Sequence, residues 1–267
     1  MSHIPAERCL DIIELLADGA SNMALGDISE KLKLPKSGAH RLLATLVDLG
    51  WAEQNPDTGF YRLTMRLAIL GQRFYVATGI PDICQPLLDR LAARSQEFVR
   101  LAIVDGGSLT WLAHAQGATG GLLYQPSLTT DKVPLHVTAS GKAWLASLPR
   151  ELAMQHAMKS GLTDVGKFGP NAINSIDRLM GELDMTATRG FGTAMNEAEP
   201  GVTAVACAIR TDGLGDALGT VSIAGPTARM GASRIEEMGQ LAVQSASEFA
   251  ALWPLRPRYR KVSAASA

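Results

Sequence analysis

The chain has 267 residues, of which 46% are hydrophobic and 19% charged, and its net charge is −1. That balance excludes a disordered chain, and the length suits two domains of ordinary size better than one core. It also excludes a protein held to nucleic acid by its global charge, because even the first 66 residues carry seven Lys and Arg against nine Asp and Glu.

Met1 to Glu7 lacks a basic-then-apolar leader, and no apolar run approaches the ~18 residues that span a membrane. Cys9, Cys84 and Cys207 are odd in number and far apart, which points to reduced, mostly buried thiols. A cytoplasmic protein with no membrane partner is expected.

In chain order, Ala6 to Ala17 sets Leu10, Ile13 and Leu16–Ala17 at helical spacing, and the Asp18–Asn22 run ends that helix. A second helix is predicted from Leu25, buried through Leu25, Ile28 and Leu32, with a turn at Lys33–Leu34. The third, from Pro35 to Leu49, has one apolar stripe made by Ala39, Leu42, Leu43, Leu46 and Val47. Its other face carries Lys36, Ser37, Gly38, His40, Arg41, Ala44 and Thr45, where a merely solvated helix would carry Glu–Lys pairs. From Lys31 to Val47 there are four cationic side chains and no acid. Screening confines charge effects to about 8–10 Å, so such a face can meet phosphate although the domain is slightly acidic. Trp51–Gln54 and Phe60–Leu63, joined by Asn55-Pro56-Asp57-Thr58-Gly59, read as a hairpin. Helix-turn-helix followed by hairpin is a winged helix, whose third helix enters the DNA major groove.

Thr64 to Ala77 reads as a helix too apolar for a free linker, one that packs on a partner chain. Beyond the Thr78–Pro81 break, a helix from Ile83 to Ser95 precedes a hairpin of Phe98–Asp105 and Leu109–Ala115. Strand-like stretches follow at Gly121–Gln125 and Val133–Val137, then helices at Ser140–Leu148, Glu151–Lys159 and Asn171–Thr188. Strands at Gly192–Met195, Val202–Arg210 and Ala217–Ala224 lead to a closing helix, Ser233–Trp253. Hairpin-linked strands flanked by helices predict an α+β domain with an antiparallel sheet.

Three segments resemble the IclR family of bacterial transcriptional regulators: Glu7–Ile12, Leu34–Leu43 and Asp57–Leu63. In the second half, Pro134–Ala146, Arg189-Gly190-Phe191, Glu197 with Gly201, and Ser222–Pro226 are similar to the family's effector domain. The resemblance runs from about Glu7 to Trp253. It implies a winged helix, a linker helix that serves dimerisation, and a GAF-like effector-binding domain. The expected boundaries are residues 1–63, 64–80 and 81–254, with a basic tail at 255–267. The family usually carries Thr or another side chain at the position of Gly38, which here lowers helix propensity.

Enzymatic motifs are missing. Ser140-Gly141-Lys142-Ala143 lacks the rest of a phosphate-binding loop, and neither HExxH nor GxSxG occurs. His136 reads as a satisfied structural histidine, and Glu197 and Glu199 as structural acids. No catalytic residue, metal site or cofactor is predicted. The resemblance assigns an effector pocket to Leu122, Gln125, Ala139, Ser140, Gly141, Ala194, Val202, Ala204, Ser222 and Ala224. Relatives that bind small keto acids carry an acid at the position of Ala194 and a second Ser at that of Ala224. The expected effector is therefore larger, an aromatic carboxylate with its anion on the Ala139–Gly141 amides.

The function expected is a ligand-responsive regulator, a repressor by family tendency. It binds a pseudo-palindromic operator in double-stranded DNA as a homodimer or homotetramer, and a small organic acid releases or remodels it. Lys36, Ser37, Gly38, His40, Arg41 and Thr45 form the contact face, and Arg62 of the wing touches the backbone. The rival is a small-molecule sensor acting through protein partners without DNA.

Overall fold

The computed structural model describes residues 5–19, 22–120, 123–126, 132–162, 165–211 and 216–253. It divides into two compact units, Met1–Thr78 and Gly79–Ala267.

In the first unit, α1 (Pro5–Gly19), α2 (Leu25–Lys31) and α3 (Lys36–Asp48) precede the short strands β1 (Ala52–Gln54) and β2 (Tyr61–Leu63), and then α4 (Arg66–Ala77). Ile12, Leu16, Ile28, Leu43, Leu46, Ala52 and Tyr61 form the core between them. On α1 the buried stripe is Cys9, Ile12, Ile13 and Leu16, an i, i+3, i+4, i+7 set. Leu10, expected inside, falls off that stripe and is 60% exposed. The α2–α3 turn is held by Ser29, whose buried hydroxyl donates to the Leu34 carbonyl at 2.6 Å. Lys33 takes a left-handed φ of 52° there. β1 and β2 pair antiparallel, and Met23 adds a bridge to Tyr61.

The second unit comprises α5 (Ile80–Ser95), β3 (Phe98–Asp105), β4 (Ser108–Gln116), α6 (Ala139–Ala146) and α7 (Arg150–Ser160). A short 3-10 turn at Val165–Lys167 leads to α8 (Ile176–Arg189), β5 (Gly192–Met195), β6 (Val202–Arg210), β7 (Ala217–Pro226) and α9 (Ala232–Leu252). Five antiparallel strands lie in the order β4-β3-β7-β6-β5. Gly106 and Gly107, both at positive φ, make the two-residue turn from β3 to β4. Helices α5 and α9 cover one face of the sheet, and α6 lies on the other with α7 and α8 behind it. The second core fills that side, with Trp144 and Leu145 of α6 and Leu179 and Leu183 of α8 at its centre.

Three expectations fail locally. Val133–Val137 is not a strand: Lys132 bridges Thr110, and the chain then turns into α6. Thr138 explains this, because its hydroxyl donates to the Pro134 carbonyl at 2.7 Å and accepts from the Gly141 amide at 3.0 Å. Such local bonds compete with a ladder. Likewise Leu123 to Gln125, the described residues of the expected Gly121–Gln125 strand, form no strand, while Gly121 and Leu122 lie outside the described residues. Helix α8 begins at Ile176 and not at Asn171, because Ser175 caps it and the Asn171 amide group donates to the Met195 carbonyl instead.

Candidate nucleic-acid interface and ligand cavity

On α3 the inner positions Ala39, Leu43 and Leu46 are buried, and Leu42 and Val47 are half-buried. That orientation turns the opposite side outward: Lys36, Ser37, His40, Arg41 and Thr45 are all exposed, and Gly38 is half-buried. Among the described residues, none of Lys31, Lys33, Lys36 and Arg41 forms an ion pair. Thr45 spends its hydroxyl proton on the Arg41 carbonyl at 3.0 Å, leaving its oxygen as an acceptor. A Cβ at Gly38 would meet only Pro35 Cδ, at 3.9 Å, so bulk is not what excludes a side chain. In the wing, Arg62 is exposed and paired across the hairpin with Glu53, its charge already shared with an acid. The wing tip is shaped by Asn55, whose side-chain oxygen accepts from the Asp57 and Thr58 amides at 2.8 and 3.0 Å.

Helix α4 buries none of its residues: Ile69, Leu70, Phe74 and Val76 are large, apolar and exposed, as is Met65 at its N-cap. Such a concentration on one short helix is what an interface looks like before its partner is added.

The second unit holds a cavity of about 400 Å³ on the α6 side of the sheet. Its floor follows from strand register: Ala224 of β7 pairs with Ala204 of β6, which pairs with Ala194 of β5, a row of small side chains. One row along, Arg100 of β3 pairs with Ser222 of β7. Small residues also bring the N-terminus of α6 down to the sheet, since a Cβ at Gly192 would lie 2.5 Å from the Ala139 carbonyl oxygen. Beside the cavity Lys142, 1% exposed, donates from Nζ to both oxygens of Glu197 at 2.7 and 2.6 Å and to the Thr193 carbonyl at 2.9 Å. That buried pair ties α6 to the segment after β5.

Seven of the expected pocket residues line this cavity: Ala139, Ser140, Ala194, Val202, Ala204, Ser222 and Ala224. Gln125 is exposed and does not line it, and Leu122 lies outside the described residues. Gly141 is turned away: its amide is taken by Thr138, and a Cβ there would meet Leu135 Cα at 2.4 Å. An anion at this helix end has the Ala139 and Ser140 amides and not the expected three. The Ser140 hydroxyl is buried without a partner among the described residues.

Sequence reading missed the polar half of the site. Arg100, Trp111, Tyr124 and Glu199 also line it. The Arg100 guanidinium stacks 4.5 Å from the Trp111 ring centroid and 5.2 Å from that of Phe98, and it forms no ion pair among the described residues. Burial lowers its pKa below the ordinary value, while the nearby Tyr124 and Glu199 work to raise it. The Tyr124 hydroxyl donates to Glu199 at 2.9 Å, and burial pushes the phenol pKa up. Glu199 is therefore a cavity residue, whereas its neighbour Glu197 is the structural acid. The only available signal was an Arg at an inward position of a strand, and recognising it requires the strand's face to be known.

His136 also departs from expectation. It is 3% exposed, neither ring nitrogen has a hydrogen-bond partner among the described residues, and its ring sits edge-on to Phe168 at 5.3 Å. Burial, then the Lys142 charge, lowers its pKa. Among the described residues no group of three or more His, Cys, Asp or Glu is placed to hold a metal. No helix there is long and apolar enough to cross a membrane. Cys84 is buried, while Cys9 and Cys207 are only half-buried, so burial of the thiols is less complete than expected.

Comparison with known proteins gives two family profiles: an IclR helix-turn-helix domain over residues 5–56 and a bacterial transcriptional regulator IclR C-terminal domain over residues 73–251. The chain is 33% identical to the HTH-type transcriptional regulator XynR of Escherichia coli over 203 residues, 75% of this chain and 77% of that protein. It is 26% identical to the transcriptional repressor IclR of E. coli over 90% of this chain and 86% of that one. Among solved structures, an IclR homologue from Microbacterium hydrocarbonoxydans complexed with 4-hydroxybenzoate superposes with a TM-score of 0.68. That match has 22% identity and covers 92% of this chain and 98% of the other.

Proposed function

The chain belongs to the IclR family of DNA-binding, ligand-responsive transcriptional regulators and is not an enzyme, and from that premise we propose that it is a repressor released or remodelled by an aromatic carboxylate. The observation that carries the DNA half of this reading is the outer face of α3, cationic and polar, exposed and free of ion pairs among the described residues. In the operator complex this face enters the major groove, with Lys36 and Arg41 on phosphate or guanine and Ser37, His40 and Thr45 on base edges. Repression is supported by the related E. coli protein's name. Two copies, joined through the apolar side chains of α4, read a pseudo-palindromic operator, and pairing of dimers gives the tetramer. A gel shift on the DNA upstream of the gene tests this. Retardation that weakens steeply between 50 and 200 mM salt is expected, and no retardation at low salt refutes the reading.

For the effector, the size of the cavity, its alanine floor and its aromatic walls support a ring-bearing acid over a two- or three-carbon one. The carboxylate sits on the Ala139 and Ser140 amides at the N-terminus of α6. Arg100 and the Tyr124–Glu199 pair take a second polar group, such as a ring hydroxyl. The related structure holding 4-hydroxybenzoate supports this class. Calorimetry with 4-hydroxybenzoate, benzoate, glyoxylate and pyruvate is the check: tight binding of only the last two rejects the aromatic reading.

A further inference from the structure

A second cavity, of about 500 Å³, adjoins the first in the same unit. Phe168 and Pro134 line both, so these two residues are a shared partition. Its apolar floor is Leu109, Leu135 and Phe168, and its rim carries Lys132, Lys159 and His156. Among the described residues no carboxylate lines it, and neither lysine is ion-paired. His136, whose two ring nitrogens lack partners among the described residues, also belongs to this wall. An imidazole buried in that state is costly to keep. The floor and rim together have the character of a site for a molecule with an apolar body and a negative end. Gly107 preserves the opening: at its φ of 79°, a Cβ would press to 3.2 Å from His156 Cε1, and the His156 ring is itself packed, tilted by 52°, with its centroid 5.0 Å from that of the Trp144 ring.

We propose that this cavity is a second ligand site, taking an amphipathic organic carboxylate with its apolar body against Leu109, Leu135 and Phe168 and its charge between Lys132 and Lys159. A polar group on the ligand's body reaches His136 when the Phe168 ring moves aside. Because Phe168 also walls the Arg100 cavity, occupancy of one site changes the shape of the other, and the two affinities are coupled. The coupling rests on the effector reading given above; binding to the second cavity does not.

The test uses the full chain and 4-bromobenzoate. Crystals grown with it are expected to show bromine anomalous peaks in both cavities, and calorimetry two molecules per chain. K132E/K159E, altered only at exposed side chains, is expected to weaken one of the two sites by about tenfold, while K132R/K159R binds as wild type does. Absence of bromine from the Lys132–Lys159 cavity overturns the proposal, as does a K132E/K159E titration that matches wild type. Bromine in both cavities with a single calorimetric site that K132E/K159E leaves unchanged means binding at crystal concentration only in the Lys132–Lys159 cavity and overturns it too. Bromine in this cavity alone upholds the second site and rejects the effector reading of the first.

Discussion

Arg41 projects from α3 without an acidic partner among the described residues, so its removal subtracts charge from the DNA face and little from the fold. Arg41→Ala is expected to weaken operator binding at least tenfold in a gel shift and to leave the melting temperature within a degree or two of wild type. Gly38 is the reverse case. It sits in the first turn of α3, where a Cβ would meet only Pro35 Cδ at an unstrained 3.9 Å, so Gly38→Ala is expected to stabilise the domain by about 0.5–1 kcal/mol. An upward shift in denaturant midpoint checks this. His136 sets a pH dependence. Its folded pKa lies below the ordinary 6.5, chiefly through burial, so the unfolded chain binds the extra proton first as the pH falls. The stabilisation is whole above pH 6.5 and declines as pH drops from there through the lowered folded value. Thermal melts from pH 8 to 5 are expected to show that decline in the wild type and a smaller one in His136→Leu.

Among the elements, α4 has a pattern whose meaning depends on a partner. Its apolar character was legible in sequence, through Met65, Leu67, Ala68 and Leu70, and the structure leaves Met65, Ile69, Leu70, Phe74 and Val76 exposed. Phe74→Glu is expected to shift the assembly to a smaller species in light scattering and to weaken operator binding with it. The α2–α3 turn shows the opposite limit. Its position followed from Lys33-Leu34-Pro35, but the Ser29 hydroxyl that clamps it did not, because a serine inside a short helix gives no hint of which carbonyl it will reach. Val133–Val137 misled for a related reason: an apolar, β-branched run was overridden by Thr138, whose two local hydrogen bonds are decided by the chain's path into α6.

At the scale of the whole molecule, a regulator must make ligand binding in one unit felt in the DNA affinity of the other, whatever the route. Saturating 4-hydroxybenzoate is expected to change operator affinity by about fivefold or more, the usual size of such coupling. Arg100→Met is expected to abolish that change while leaving ligand-free operator binding intact; fluorescence anisotropy with labelled operator measures both. The sequence alone determined the winged helix, the antiparallel sheet and the outward face of α3, because helical and strand periodicity are local and each apolar stripe has one way to face a core. The family resemblance pointed to Ala194, Ala204 and Ala224 as pocket positions, and the structure sets the three in one row across the sheet. Only the tertiary structure decided that Arg100, Trp111, Tyr124 and Glu199 meet over that floor, that Gly141 turns away from it, and that His136 is buried without a partner among the described residues. These residues lie on separate strands and loops up to about a hundred positions apart, and what joins them is cross-strand register and the packing of α6, which no local pattern encodes.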